Sequence, residues 1–261
     1  MEAVPGGVSF PAGLPGSWGW HLRDGAVKGR PLLLGLPHAD PSDGAGLEEG
    51  PCALRLALAT MPMGGSDVPA GVLAGDGGDL PLHGLSPEEM APVAERGMAV
   101  IAEQSKPLVL LGGGRSVLLS AWRGLESVWG EGRMAGINGE GYYLHQEGRT
   151  RWAREHQERP FGEAALELAA YLNGGDWGWV HVDLTGRSER AGGLTDGALR
   201  QLASLAGRLE SVSVFALAGV QPYGRGGEER MERAVAAVGA FLEGAQSRVL
   251  PEQKERGGRK G

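Results

Sequence analysis

Short apolar runs alternate along the chain with longer amphipathic stretches of helical period. Runs that stay apolar at successive positions are typical of strands buried on both faces of a sheet. On this basis strands are predicted at residues 31–36, 72–74, 108–111, 134–137, 179–184 and 212–217. Helices are predicted at residues 51–59, 86–104, 116–122, 161–172, 195–209 and 228–242. The clearest boundary is Ser86-Pro87-Glu88-Glu89, a capping box with proline in the first turn.

Strands that alternate with helices predict parallel pairing through right-handed crossovers. We therefore expect an α/β fold, a three-layer α-β-α sandwich around a mostly parallel central sheet, with the chemistry at the carboxyl ends of the strands. Residues 31–245 are expected to form this α/β domain. Residues 1–30 are predicted to be an irregular N-terminal arm that packs its tryptophans on the body, and residues 246–261 a flexible basic tail. The glycine-rich segment at 75–79 is expected to be a loop.

The composition of the chain argues against several classes of function. A net charge of −7 gives no global basic field for nucleic acid or an anionic membrane. No apolar run approaches the ~18 residues of a membrane span. Cys52 is the single cysteine, which excludes an internal disulfide and suits a reducing cytoplasm. We expect Cys52 to be a small buried hydrophobe at the start of a helix.

A series of glycine-rich and polar motifs occurs in a definite order. It consists of Gly35-Leu36-Pro37, Gly50-Pro51-Cys52-Ala53-Leu54-Arg55, Gly75-Asp76-Gly77-Gly78-Asp79, Gly112-Gly113-Gly114-Arg115-Ser116, Gly192-Gly193-Leu194-Thr195 and the stretch from Val214 to Pro222. This order and spacing resemble the ureohydrolases (arginase, agmatinase and formiminoglutamase) over about residues 31–245. The resemblance implies an arginase-like fold.

The resemblance also implies where the family's metal ligands would stand. Ureohydrolases hold two Mn²⁺ ions with His and Asp ligands and a bridging hydroxide that attacks a guanidinium carbon. The corresponding positions here are Arg115, Asn138, Glu140, Tyr142, Asp183 and Thr185, and the guanidinium-contact position is Gly219. Only Asp183 keeps a family ligand. We therefore expect an arginase-fold protein that has lost dinuclear-manganese catalysis and carries no cofactor.

Arg115 allows two interpretations. Its guanidinium can replace the positive charge of a metal by pairing with Asp183 or Glu140 inside the former active cleft, which stabilises the cleft only if the pair is well hydrogen-bonded. Alternatively, it extends to solvent at the end of a strand. The sequence leaves both open.

The sequence is compatible with three hypotheses about function. The first is a binding or structural pseudoenzyme that assembles with itself or with an active paralogue, since the family forms trimers and hexamers. The second is a hydrolase of C–N bonds in a small guanidino or amidino compound. It would use a single divalent metal, such as Mn²⁺, at His181, Asp183 and Glu140; His181 and Asp183 share one strand face. The third is a protein that binds a small carboxylate through Arg115.

Several other polar and aromatic residues allow a purely structural interpretation as well as a functional one. His38, Asp40 and Asp43 follow the first strand and either bind metal or make a turn. His145 and His156 lie in a charge-rich segment that we expect to be an exposed loop, where either is at most a spare ligand. The tryptophans at 122, 129, 177 and 179 are predicted to be packing residues. The loop at 112–114 lacks the phosphate-binding motifs, and no Ser-His-Asp or Cys-His arrangement is visible.

Overall fold

The structure, a computed structural model, describes residues 17–40, 46–61, 72–138, 141–146, 149–152, 161–184, 195–224 and 226–248. Within these ranges the strands are β1 (Leu22–Asp24), β2 (Leu32–Gly35), β3 (Ala74–Asp79), β4 (Leu108–Leu111), β5 (Gly132–Asn138), β6 (Gly141–Gln146), β7 (Arg149–Trp152), β8 (Trp177–Asp183) and β9 (Val212–Ala218). The helices are α1 (Gly50–Thr60), α2 (Pro87–Ala102), α3 (Arg115–Trp129), α4 (Phe161–Leu172), α5 (Asp196–Arg208) and α6 (Gly227–Gln246), preceded by a short 3₁₀ helix at Trp18–His21.

The described strands form one sheet in the order β1-β3-β2-β4-β9-β8-β5-β6-β7. The seven strands from β1 to β5 in this order pair in parallel, and β6 and β7 add an antiparallel edge. Helices cover both faces, so the predicted α/β sandwich with a mostly parallel sheet is confirmed. The long apolar strands take the centre because their side chains are buried on both sides.

Two apolar cores lie on opposite faces of the sheet. Along β8, Val180 packs with α1, α4, α5 and α6, whereas Trp179 packs with α2 and α3. This alternation follows from the two-residue period of a strand. The side of the sheet that a residue faces therefore follows from its position in the strand.

The tryptophans of the α2/α3 face pack as predicted. The ring centroids of Trp122 and Trp177 are 4.5 Å apart, and those of Trp129 and Trp177 are 5.4 Å apart. The indole N–H of Trp177 donates to the Gly130 carbonyl at 2.8 Å, which satisfies the polar atom of a buried ring. A side chain at Gly132 would collide with Trp177 and Trp122, so the small residue is required there.

The capping box of α2 is confirmed. The Glu89 backbone N–H donates to the Ser86 hydroxyl at 3.4 Å, and the Glu89 carboxylate accepts from the Ser86 backbone N–H at 3.0 Å. The helix ends at Ala102, two residues before the predicted end.

The prediction of a loop at residues 75–79 is wrong, because this segment is strand β3. Gly75 lies so close to its neighbours that a Cβ atom there would be 2.1 Å from the Gly25 carbonyl oxygen. The glycines that lower the intrinsic strand preference thus allow β3 to insert between β1 and β2. Residues 72 and 73, predicted to begin the strand, precede it.

Several other boundaries differ from prediction. The predicted irregular arm contains the 3₁₀ helix and β1, and Trp18 is buried against Gly239 of α6 whereas Trp20 is half exposed. Helix α3 continues to Trp129 rather than ending at residue 122. The segment around His145, expected to be a loop, forms β6 of an antiparallel hairpin with β5.

The start of the predicted tail is anchored rather than solvated. Arg248 donates hydrogen bonds to the backbone carbonyls of Ala206 and Gly207, in the last turn of α5, and of Val212, at the start of β9. Burial lowers the pKa of Arg248 to about 10, and the nearby charge of Glu210 opposes that effect. Residues 249–261 lie outside the described residues. Among the described helices, none has the length and apolar character needed to cross a membrane.

Candidate functional site at the carboxyl edge of the sheet

The topology places the carboxyl ends of β4, β9, β8 and β5 next to one another. In register, Leu111 pairs with Leu217, Asp183 with Ala218, and the Ile137 position with Val182. The candidate positions therefore gather at one edge: Arg115 begins the helix that follows β4, and Asn138, Asp183 and Gly219 stand at the ends of β5, β8 and β9.

His181 and Asp183 share one face of β8. They alternate with Val180 and Val182 and lie on the side of Trp177 and Trp179, which pack in the α2/α3 core. Both are buried, with 3% and 5% of their surfaces exposed, and both have interaction partners. The prediction that they share a face is confirmed, and this face is the one covered by α3.

The glycine loop before α3 is held by backbone contacts. Gly112 donates its N–H to the Leu217 carbonyl at 2.9 Å, and Gly219 donates to the Gly113 carbonyl at 3.4 Å. At Gly113 the φ angle is +83°, and a Cβ atom would stand 2.6 Å from the Leu36 carbonyl oxygen. The glycines are needed for this close approach, whether or not the edge performs chemistry.

His38 lies at the same edge, shortly beyond the end of β2. Its carbonyl accepts from the Gly114 N–H at 2.8 Å, and its ring Nε2 lies 3.2 Å from the Leu85 carbonyl oxygen. The residue is only 4% exposed, and Nδ1 has no hydrogen-bond partner among the described residues. The hydroxyl oxygen of Ser116, in the first turn of α3, is also buried and has no partner within the same part of the chain. Sequence reasoning considered His38 only together with Asp40 and Asp43, of which Asp43 lies outside the described residues.

Some predicted positions do not join this group or cannot be placed. Tyr142 lies on β6 opposite the Ile137 position, so β5 separates its strand from β8. Glu140, Thr185 and His156 lie outside the described residues, as does the side chain of Arg115. The pairing of Arg115 with Asp183 or Glu140 and the metal set that includes Glu140 therefore stay predictions.

A buried ion-pair cluster near the ends of β2 and β3 was not predicted from the sequence. Arg55 of α1 donates to the Asp76 carboxylate at 2.9 and 3.1 Å and to the carboxylate of Asp79 and the carbonyl of Gly78. Burial lowers the pKa of Arg55, but the charges and hydrogen bonds of Asp76 and Asp79 outweigh burial and raise it above its ordinary value. The two motifs that contain Arg55 and the pair Asp76 and Asp79 were recognised in the sequence. The opposite charges of these residues were the signal from which their pairing could have been predicted. Because all three guanidinium nitrogens of Arg55 donate to residues of β3, the cluster fixes α1 to the sheet.

A groove of about 930 Å³ opens between α1, the loop after β3 and the start of α6. Its walls carry the carboxylates of Glu48, Glu49 and Glu228, and among the described residues that line it none is Lys or Arg. Cys52 lies in this groove and is exposed, so the prediction that it is buried is wrong. The residue lies on the outer side of α1, whereas Leu54 and Leu58 face the core.

Within the described part of the chain, no group of three or more His, Cys, Asp and Glu residues is arranged to hold a metal ion.

The strand order and the gathering of polar positions at one edge define the class of the protein: it has an α/β arginase fold. The sequence model of the Arginase family matches residues 31–137. A comparison with curated proteins found no match.

Solved structures agree over most of the chain. Formimidoylglutamase from Bacillus subtilis matches with a TM-score of 0.71 and 15% identity, over 94% of this chain and 96% of that one. Proclavaminate amidino hydrolase from Streptomyces clavuligerus matches with a TM-score of 0.65 and 17% identity, over 85% of this chain and 94% of that one. Trypanosoma cruzi formiminoglutamase with Mn²⁺ matches with a TM-score of 0.63 and 15% identity, over 84% of this chain and 94% of that one. The arginase-like fold is thereby confirmed, and the family model supports the resemblance to the ureohydrolases over residues 31–137.

Proposed function

We propose that this protein is an arginase-fold pseudoenzyme, a binding or structural protein without dinuclear-manganese ureohydrolase catalysis. The observation that carries the proposal is the start of α3. Arg115, a fixed cation, occupies the first position of this helix, where the resemblance implies a neutral histidine ligand.

The remaining positions at the edge support the same conclusion. Two Mn²⁺ ions require several carboxylate and imidazole ligands that converge on them. Position 138 offers an amide, Tyr142 offers a neutral phenol on a more distant strand, and Gly219 has no side chain. Asp183 is the family carboxylate that the described residues retain. This donor set does not fit a pair of divalent cations, and we derive no reaction step through them.

The proposal is tested by metal analysis of the purified protein after incubation with Mn²⁺, together with urea release from arginine and agmatine. We expect substoichiometric manganese and no turnover. One or two equivalents of bound manganese with turnover would overturn the proposal.

A substitution tests the assignment of position 115. Arg115→His should raise manganese affinity if the correspondence with the family ligand is right. Arg123→His, an exposed position on the same helix, is the matched control and should leave affinity unchanged. No difference between the two variants would count against the correspondence.

The alternative function is hydrolysis of C–N bonds in a small guanidino or amidino compound with a single divalent metal. It is favoured by the shared face and burial of His181 and Asp183, which Glu140 would complete. One equivalent of metal lost in both His181→Ala and Asp183→Asn, with turnover lost alongside, would support it. Metal retention in both variants would exclude this ligand set.

Binding partners belong to the same proposal. As a structural protein, the chain assembles with itself or with an active paralogue. Mass measurement in solution, alone and with a paralogue, tests this part: a monomer under both conditions would contradict it. The second alternative, binding of a small carboxylate, is supported by the start of α3, whose first turn contains Arg115 and no acidic residue. Thermal-shift screening against small carboxylates tests it, and no shift with any of them would contradict it.

A further inference from the structure

The side of α1 that faces away from the core lines the groove of about 930 Å³ described above. Leu54 and Leu58 are buried in the core, whereas Cys52, Leu56 and Thr60 recur at every fourth position on the opposite side and face the groove. Leu56 leaves 56% of its surface exposed. A single exposed leucine is common on protein surfaces, so its meaning depends on the groups around it.

An exposed aromatic ring lines the same groove. Tyr223, in the loop after β9, is 61% exposed. A Cβ atom at Gly46 would lie 3.4 Å from Cδ2 of Tyr223 and 3.7 Å from Oε2 of Glu49, so the ring and the carboxylate are close neighbours. The face of an aromatic ring and a carboxylate both attract cations. Together with Leu56, these groups give one groove an apolar surface and a place for a positive charge.

The walls of the groove are negatively charged. Glu48 and Glu49 lie just before α1, and Glu228 lies in the first turn of α6; all three line the groove. No salt bridge joins any of them to another described residue. Asp79 also lines the groove, but its carboxylate is paired with Arg55. The three glutamates therefore favour a basic partner and disfavour an acidic one.

Two basic side chains lie close to the groove without pairing with these glutamates. His83 lines the groove. Arg230 is not among the lining residues, and its guanidinium donates to the backbone carbonyl of Gln221 at 3.3 Å and to that of Tyr223 at 3.5 Å. Its charge is thus held at the backbone of the loop after β9, and the described carboxylates of the groove stay available to another molecule.

We propose that this groove docks a basic segment of a partner protein, in which lysine or arginine side chains flank an aliphatic one. The aliphatic side chain packs on Leu56, and one cation lies at Tyr223 and Glu49. A polypeptide segment fits better than a small ion, because apolar surface and carboxylates on two elements are combined in one groove. A second copy of this chain, with a net charge of −7, is not the expected occupant. The inference goes beyond the proposed function and does not depend on the manganese result.

Cys52 makes occupancy of the groove measurable. It is the single cysteine of the chain, it is exposed, and it lines the groove, so a bound segment should slow its reaction with an uncharged alkylating reagent. The probes are three end-blocked peptides of equal length: one of lysine and leucine, one with the leucines replaced by serine, and one with the lysines replaced by glutamate. We expect the first to slow alkylation about fivefold or more at saturation, the second to bind about fivefold more weakly, and the third to give no protection.

Variants of the wall carboxylates test the contribution of charge. Glu49→Gln combined with Glu228→Gln should weaken the lysine and leucine peptide about fivefold at low salt and flatten the salt dependence of its binding. Glu103→Gln combined with Glu131→Gln removes two exposed carboxylates that do not line the groove and is the matched control. This control should leave both the affinity and its salt dependence as in the wild type.

A second pair of variants tests the apolar contact. Leu56→Ser should reduce the advantage of the leucine peptide over the serine peptide, whereas Leu119→Ser should not. Leu119 is a suitable control because it is an exposed leucine on another helix, with 47% of its surface accessible, and does not line the groove. Both changes are at exposed positions, and tryptophan fluorescence verifies that each variant is folded.

Several outcomes would overturn the inference. They are no protection of Cys52 at millimolar peptide, equal protection by the glutamate peptide, and equal effects of the groove variants and their controls. Protection by spermine as strong as by the peptide would assign the groove to a small cation. Slower alkylation at higher protein concentration without peptide, together with a doubled mass in solution, would assign it to a second copy. Bound manganese and urea release, which test the proposed function, are separate measurements.

Discussion

The buried cluster around Arg55 makes the sharpest prediction about stability. Arg55 is 3% exposed, and the side chain of Asp76, its main partner, is 2% exposed. Replacing Arg55 with methionine keeps most of the side-chain volume but removes five donated hydrogen bonds and the positive charge. Asp76 would then remain buried as an anion, with the Gly78 N–H as the donor that still reaches it.

The magnitude follows from the cost of an uncompensated buried charge. Breaking a buried pair by removing one partner costs ~3–5 kcal/mol, far more than the net worth of the intact pair. Asp79 contributes less to this cost because its side chain is 19% exposed and can be hydrated. We therefore expect Arg55→Met to lower the free energy of unfolding by about 3–5 kcal/mol. Arg55→Met combined with Asp76→Asn should lose less than the sum of the single changes, with a coupling of about 1–3 kcal/mol.

The assay is urea denaturation followed by tryptophan fluorescence, with Arg123→Met as the matched control. Arg123 makes a 3.5 Å contact with Glu95, and both side chains are well exposed. Such a surface pair is worth ~0–1 kcal/mol, so the control should be nearly neutral. If Arg55→Met lost no more than Arg123→Met, the cluster would not stabilise the fold as argued.

The pH dependence of this loss has a definite sign. The pKa of Arg55 is raised in the folded protein, because the effect of burial is outweighed by Asp76 and Asp79. A raised pKa gives stability that is complete below the unfolded-state pKa and is lost only as pH rises through the folded value. Since both values lie far above neutrality, the difference between wild type and Arg55→Met should stay constant from about pH 7 to 10. A decline within that window would refute the assigned direction.

Four further predictions follow from local geometry. Gly113→Ala combines a φ of +83° with a Cβ contact of 2.6 Å to the Leu36 carbonyl and should cost about 1–3 kcal/mol in the same denaturation assay; a neutral effect would show that the loop is not closely packed. Ser86→Ala should cost about 1 kcal/mol as α2 loses its cap. Hydrogen bonds with the backbone and side chain of Ser86 lower the pKa of the Glu89 carboxyl group, so the stability lost in Glu89→Gln should be present at about pH 7 and should vanish as pH falls through that lowered pKa. Cys52 should react with a thiol reagent in the native protein as fast as in a denatured control; slow native reaction would contradict its exposure.

The sequence predicts the central strands well, for a physical reason. Residues 108–111 and 212–217 are apolar at nearly every position because both faces of those strands are buried, and such a run has few alternatives in a globular chain. The capping box at Ser86 is equally informative, because its hydrogen bonds form between residues three apart. Local signals of this kind do not depend on the rest of the fold.

The missed features depend on contacts distant in sequence. Strand β3 has the composition of a loop, and only its neighbours β1 and β2 make it a strand. Arg55 and Asp76 are 21 residues apart, so their pairing appears only when α1 packs on the sheet. The contact between Nε2 of His38 and the Leu85 carbonyl likewise joins residues that are 47 positions apart. The candidate site could be predicted as a location, through strand order, but not as a set of contacts.

The motifs that resemble the ureohydrolases separate into two groups by physical role. Arg55, Asp76 and Gly113 match the family, and each has a structural role, since a buried charge must be neutralised or a backbone carbonyl must be approached closely. Arg115 and Gly219 depart from it, and both stand at the carboxyl edge where chemistry would occur. The family model matches residues 31–137, and a shared fold does not by itself establish an activity, so the activity must be judged from the positions at the carboxyl edge.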